Sequence, residues 1–196
     1  MNDYVRRLEE RWGYFHKSGS FWANGKMPFI SDDARLNVLF TPLSVVDVEN
    51  YFADILQARL HPELKEFYEW TNGCRLFFAS LSVYGIRGET KDIFVPFDLE
   101  YENKNLLKTM PNDKWVYFAS IGGAYVFAYD KELPSKVYGM KVGVKEILQT
   151  FDGVNAFVSH YFDALIEEYG LDGRRIHPTQ AYIGIPVLEN KCIELM

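Results

Sequence analysis

Four histidines, two cysteines and 27 acidic residues make up the chain's main stock of side chains able to ligate, attack or move protons. The histidines His16, His61, His160 and His177 are scattered, and only His160 has company at helical spacing, with Asp163 and Glu167 three and seven residues on. One histidine and two carboxylates on one face could hold a metal, but two further ligands would have to come from elsewhere. The same spacing is what the solvated side of an amphipathic helix presents, and it is read so. Cys74 follows a predicted helix C-terminus, where carbonyl oxygens raise a thiol's pKa, the wrong setting for a reactive thiolate.

Nucleophile and phosphate motifs are missing too. No Gly-x-Ser-x-Gly occurs, so there is no nucleophile elbow. Gly122-Gly123 follows a strand pattern but lacks the Lys, Ser/Thr and helix of a phosphate loop. Neighbouring acids such as Asp32-Asp33, or Glu100 with Glu102, could do acid–base work but read as solvated loop carboxylates. The chain carries no recognisable catalytic constellation, and the purified protein is expected to turn over no nucleotide, ester or peptide. No metal or cofactor is expected.

Composition narrows the partners. With 21 basic against 27 acidic residues the net charge is −6, and the densest basic spots are Arg6-Arg7 with Arg11, and Arg174-Arg175. Nucleic-acid backbones are bound through clustered cations, so a general nucleic-acid binder is not expected. An acidic balance favours a basic partner. Fifteen Phe, 13 Tyr and 4 Trp must fill a bulky core or a binding face, and composition does not say which. No run of about 18 apolar residues occurs, the N-terminal MNDYVRRLEERWG lacks the apolar core of a secretory signal, and Cys74 and Cys192 form no ligand pair. One disulfide is possible between them but nothing demands it. The reading is a cytoplasmic protein with two free thiols and no membrane span.

The elements follow from spacing and punctuation. Residues 3–12 predict an amphipathic helix through Val5, Leu8 and Trp12; residues 16–27, with Gly and Asn-Gly punctuation, predict a loop; residues 34–41 predict a strand. Ser44 and Asp47 resemble a capping box before a helix through Val48, Phe52 and Ile55. Pro62 opens the next helix, and Asn72-Gly73 ends it because both tolerate the left-handed conformation. Strands are expected at 76–79, 82–86, 93–96, 115–120, 125–129 and 136–138, with Gly122-Gly123 as a hairpin turn and a short helix at 103–110. Val154, Phe157, Val158, Tyr161, Phe162, Leu165, Ile166 and Tyr169 form the stripe of a long last helix, opposite Asn155, Ser159, Asp163, Glu167 and Glu168. Helices, then strands, then a helix argue for an α+β class with a mainly antiparallel sheet packed against helices.

Three blocks together carry a resemblance. They are residues 60–73 (LHPELKEFYEWTNG), residues 93–99 (IFVPFDL), and the run of 115–123 (WVYFASIGG), 125–130 (YVFAYD) and 136–139 (KVYG), followed by the long helix at 154–169. This order resembles the SUKH superfamily, which includes the fungal Smi/Knr-type cell-wall assembly regulators. Two departures stand out: His61 separates Leu60 from Pro62, and Ala124 follows the Gly122-Gly123 turn. The resemblance covers about residues 43–169 of a single expected domain, leaving an N-terminal helical extension, 1–42, and a C-terminal arm, 171–196, outside it.

The resemblance implies a non-enzymatic binding protein, an immunity protein that neutralises a cognate polymorphic toxin by direct contact, often a nuclease or deaminase. A regulatory scaffold for an endogenous protein partner is the alternative, and a small hydrolase with a dispersed site is a third. For a basic toxin domain the expected contact surface is Asp92, Asp98, Glu100 and Glu102, in exposed loops flanking the 93–97 strand, with Tyr101 among them. Asn72 and Gly73 are expected to be structural, Gly73 at positive φ. Phe21, Trp22 and Phe29, crowding an N-terminal loop, are the fallback interface.

Overall fold

A computed structural model of the chain describes residues 2–87, 94–144 and 146–176. Its elements in order are α1 (Asn2–Trp12), β1 (His16–Ser18), β2 (Phe21–Lys26), β3 (Arg35–Phe40), α2 (Val45–Asp54), α3 (Pro62–Trp70), β4 (Cys74–Leu76), β5 (Leu81–Val83), α4 (Leu99–Thr109), β6 (Trp115–Ile121), β7 (Tyr125–Asp130), β8 (Val137–Lys141), β9 (Ile147–Phe151) and α5 (Val154–Glu168). The nine strands pair antiparallel in chain order, giving one meandering sheet within an α+β fold. Register separates its faces, because directly paired residues share a side. Leu39, Cys74, Val83, Ala119, Phe127, Gly139 and Gln149 lie in one row across β3 to β9. That face takes the core: Phe157 of α5 packs against Phe118, Phe127 and Phe151, and Tyr161 donates to Gln149 Oε1. Gly139 is required there, since a Cβ would lie 2.8 Å from the Phe127 ring. The adjacent row, Ala23, Val38, Arg75, Ser82, Ser120, Val126 and Met140, faces the other way.

Helix starts are built from side chains near and far. Ser44 caps α2 by accepting from Asp47 N, as its spacing predicts. The His61 inserted before Pro62 is the cap of α3: its Nδ1 accepts from Glu63 N at 3.2 Å. Glu63 in turn reaches across to α5, whose own cap position is Gly153 at φ 110, and accepts from Asn155 N at 2.8 Å. A Cβ on Gly153 would collide with that carboxylate.

The His61 cap makes folding acid-sensitive. Its imidazole is buried against Tyr129, with Nδ1 occupied as an acceptor, and burial holds its pKa below the ordinary 6.5. Well above pH 6.5 the ring is neutral whether folded or unfolded, and its titration contributes nothing. Below that the unfolded chain takes the proton first, so stability falls until the folded ring also protonates. Urea titrations of wild type and His61→Ser from pH 7.5 to 5 are expected to diverge. The serine variant keeps a capping acceptor and loses the acid-dependent decline; parallel pH profiles would refute this.

Several segments differ from the sequence expectation. The loop expected at 16–27 is the pair β1 and β2, and β9 was not expected at all. The Asn-Gly of β2 lies inside the strand because Asn24 turns inward: Asn37 Nδ2 donates to its Oδ1 at 3.0 Å, and its own Nδ2 donates to Gly13 O at 2.8 Å. Residues 1–42 are therefore not a helical extension but α1 plus three sheet strands. Residues 94–97 form no strand; Pro96 has no N–H to give a ladder, and Val95 O instead accepts from Arg75 Nη2. Phe77, Phe78 and Ala79, expected in a strand, turn the chain from β4 to β5 with φ of 53, 54 and 62°. Both glycines of the 122–123 turn have positive φ, as expected. Glu168, assigned to the polar side of the last helix, falls three residues after Leu165 on the apolar stripe; it is buried and pairs with Arg175 at 2.9 Å. That pair, with Trp12 Nε1 donating to Gly170 O, ties residues 169–176 to the body; the rest of the C-terminal arm lies outside the described residues.

Candidate partner-binding face

Asp98, Glu100, Tyr101 and Glu102, expected in loops beside a strand, occupy the cap and first turn of α4. Asp98 is the helix cap, its Oδ1 accepting from Tyr101 N at 2.8 Å, so this carboxylate has a folding role. Glu100 is ion-paired along the helix with Lys104. Tyr101 projects outward, 62 % exposed. Glu102 is half-buried, its carboxyl held above the ordinary range by burial and then by the charge of Asp98. Asp92 lies outside the described residues. Three acids and one aromatic thus share one helical turn, but two of the acids already have partners within the chain.

Four other segments hold that turn in place. Asn72 uses both ends of its buried amide on one residue: Nδ2 donates to Ile86 O at 2.7 Å and Oδ1 accepts from Ile86 N at 2.8 Å. The adjacent Gly85 donates to Phe97 O and accepts from Leu99 N, which fixes the entry to α4. Asn103 repeats the device from within α4, donating to Tyr117 O at 2.7 Å and accepting from Tyr117 N at 2.9 Å, as a neighbouring strand would. Tyr51 of α2 packs beside the same turn, its phenol raised by burial and then by the charges of Asp98 and Glu100. The Asn72 amide thus holds the segment that leads into α4, and Gly73 lies beside it in the same turn. Helix α3 ends before them, with Thr71 already extended, so Gly73 at φ 83° serves the turn into β4 rather than the helix terminus itself.

Alongside α4 runs a groove of about 410 Å3, lined by Tyr84, Phe97, Leu106, Ser120, Val126 and Val142, with Glu102 among its walls. Ser120 and Val126 belong to the sheet face opposite α5. No sequence signal marks this groove, because its lining comes from β6, β7, α4 and the turn after β8. A larger hollow of about 1020 Å3 opens near β2 and includes Phe21 and Phe94. Each fallback aromatic has its own neighbour: Phe21 lies tilted against Phe94, Trp22 carries Lys17, and Phe29 carries Arg174.

The other chemically equipped residues are engaged in the fold. Asp163 is paired with Arg7 at 2.6 Å and Glu167 with Arg11 at 3.7 Å, latching α1 to α5, while His160 packs on Phe151. Cys74 is buried in the core and its thiol is pushed up to about 12 by burial. Among the described residues no three His, Cys, Asp or Glu side chains converge to hold a metal, and no helix is long and apolar enough to cross a membrane.

No curated protein and no solved structure matches the chain. A family pattern does match, over residues 42–170, which takes in α2 to α5, β4 to β9 and the whole candidate face. The chain belongs to the SMI1 / KNR4 family (SUKH-1).

Proposed function

We propose that this protein neutralises a basic toxin domain, a nuclease or deaminase, by binding it directly in the cytoplasm and without chemistry of its own. Family membership supports a toxin-immunity or cell-wall-related binding role in general. The observation that carries the narrower reading is the first turn of α4, where an exposed Tyr101 stands between Glu100 and Glu102 on a chain of net charge −6. Carboxylates around an aromatic steer a basic surface into register and supply contact area once it arrives.

The test replaces Asp98, Glu100 and Glu102 together with serine, after the partner has been captured from native lysate. Serine at position 98 retains a capping oxygen, so α4 is expected to stay folded. Association with the captured toxin is expected to slow by about tenfold at low salt, with a shallower salt dependence and a much smaller change in dissociation. Unchanged kinetics would remove this face from the interface and direct the search to Phe21, Trp22 and Phe29. Capture of an endogenous assembly factor instead of a toxin would overturn the immunity reading in favour of a scaffold.

A further inference from the structure

The groove beside α4 has a composition that the steering role of the acids does not require. Its long walls are apolar and aromatic, from Tyr84, Phe97, Leu106, Val126 and Val142, and its polar lining includes Glu102 with Ser120, Asn105 and Thr109. Unlike Glu100, Glu102 belongs to none of the ion pairs among the described residues. The nearby lysines are used elsewhere: Lys104 holds Glu100, and Lys108 donates to Asn105 Oδ1. Burial already raises the carboxyl, so its charged form lacks the solvation that a matched cation would restore.

We infer that this groove receives a single arginine or lysine side chain of the protein partner, the methylenes lying along Val126, Val142 and Leu106 and the cationic head meeting Glu102. This rests on the reading of the chain as a binder of a basic protein, and it adds the feature that the partner must present. An extended cationic side chain fits both parts of the groove: its stem is apolar and its head needs a carboxylate. The same fold already shows this chemistry, with the guanidinium of Arg75 lying 4.3 Å from the Phe97 ring centre on the neighbouring part of that face. A neutral or acidic side chain would leave Glu102 half-desolvated without compensation, so charge complementarity selects the occupant.

The inference is tested with the full chain and three peptides: acetyl-Leu-Arg-Leu-amide, the lysine equivalent, and the citrulline equivalent, which keeps the shape of arginine without its charge. Methyl and carboxyl NMR signals of Val126, Val142, Leu106 and Glu102 are followed during titration. Saturable shifts with the two cationic peptides are expected, about tenfold or more weaker with citrulline and in Glu102→Gln, whose spectrum reports that it is folded. Equal binding of the citrulline peptide, an unaffected Glu102→Gln variant, or no saturable shift would each overturn it. Concentration-dependent dimerisation of the protein alone, abolished by Glu102→Gln, would assign the groove to a second copy and also overturn it. The toxin reading fails separately: peptide binding that persists while no toxin is captured would leave the groove standing and remove that function. Full neutralisation by Glu102→Gln would do the reverse.

Discussion

Replacing Gly73 with valine is expected to cost about 3–5 kcal/mol of folding stability, the sum of a backbone and a packing penalty. The residue sits at φ 83°, where a β-branched side chain is strained, and a Cβ there would lie 2.7 Å from Val83 O and 3.0 Å from Gly85 N. Neither neighbour can yield easily. Val83 belongs to β5, and Gly85 carries the bridge to Asp98. Gly73→Ala should fall between the two, keeping the collision but relieving the branched strain. Urea titration of both variants checks the order, and a loss below about 1 kcal/mol for valine would contradict it. Because the turn at 71–73 and the start of α4 share Gly85 and Ile86, the same variant should also weaken partner association.

Asn103→Ala is expected to cost about 2–5 kcal/mol, since it strips partners from two buried backbone groups at once. Tyr117 N and O lie on β6, beyond the short β5, and the Asn103 amide supplies both their hydrogen bonds at this position. Alanine offers neither a donor nor an acceptor, and the site is too enclosed for water to substitute freely. Hydrogen exchange at the Tyr117 amide is the direct check: it should accelerate with the loss of global stability and beyond it, as α4 loosens from the sheet. Unchanged exchange at Tyr117 would mean that the amide contributes little. The helix bearing Tyr101 and Glu102 is thus held on the sheet in part by one side chain.

Much of the helical framework was legible from local pattern. The apolar stripes of α3 and α5, the cap at Ser44 and the two-glycine turn between β6 and β7 all follow from residues within a few positions of one another. The class follows too, because a run of short aromatic strands between helices has few ways to bury its faces. The family resemblance was carried by the same blocks, and its two departures are now accounted for differently. His61 is a helix cap, whereas nothing in the structure gives Ala124 a special role.

What spacing did not decide was the partner of each polar side chain. Asn24, Asn72 and Asn103 look in sequence like turn formers or surface residues, yet each places a buried amide on backbone groups at least eleven positions away. For that reason the pattern of β2 reads as a loop. The segment before Asp98 reads as a strand because Ile93, Phe94 and Val95 have strand propensity, while in the described part, residues 94–97, Pro96 and the Arg75 bond to Val95 O decide otherwise. Glu168 shows the limit most plainly. Its position on the apolar stripe was countable, but a buried carboxylate is tolerable only with a paired cation, and Arg175 comes from beyond the end of the helix. The groove at Glu102 belongs to the same class. Composition and charge set the acidic balance of the chain; the meeting of β6, β7 and α4 decided where the groove lies, because a cavity is a property of surfaces brought together and no single segment encodes it.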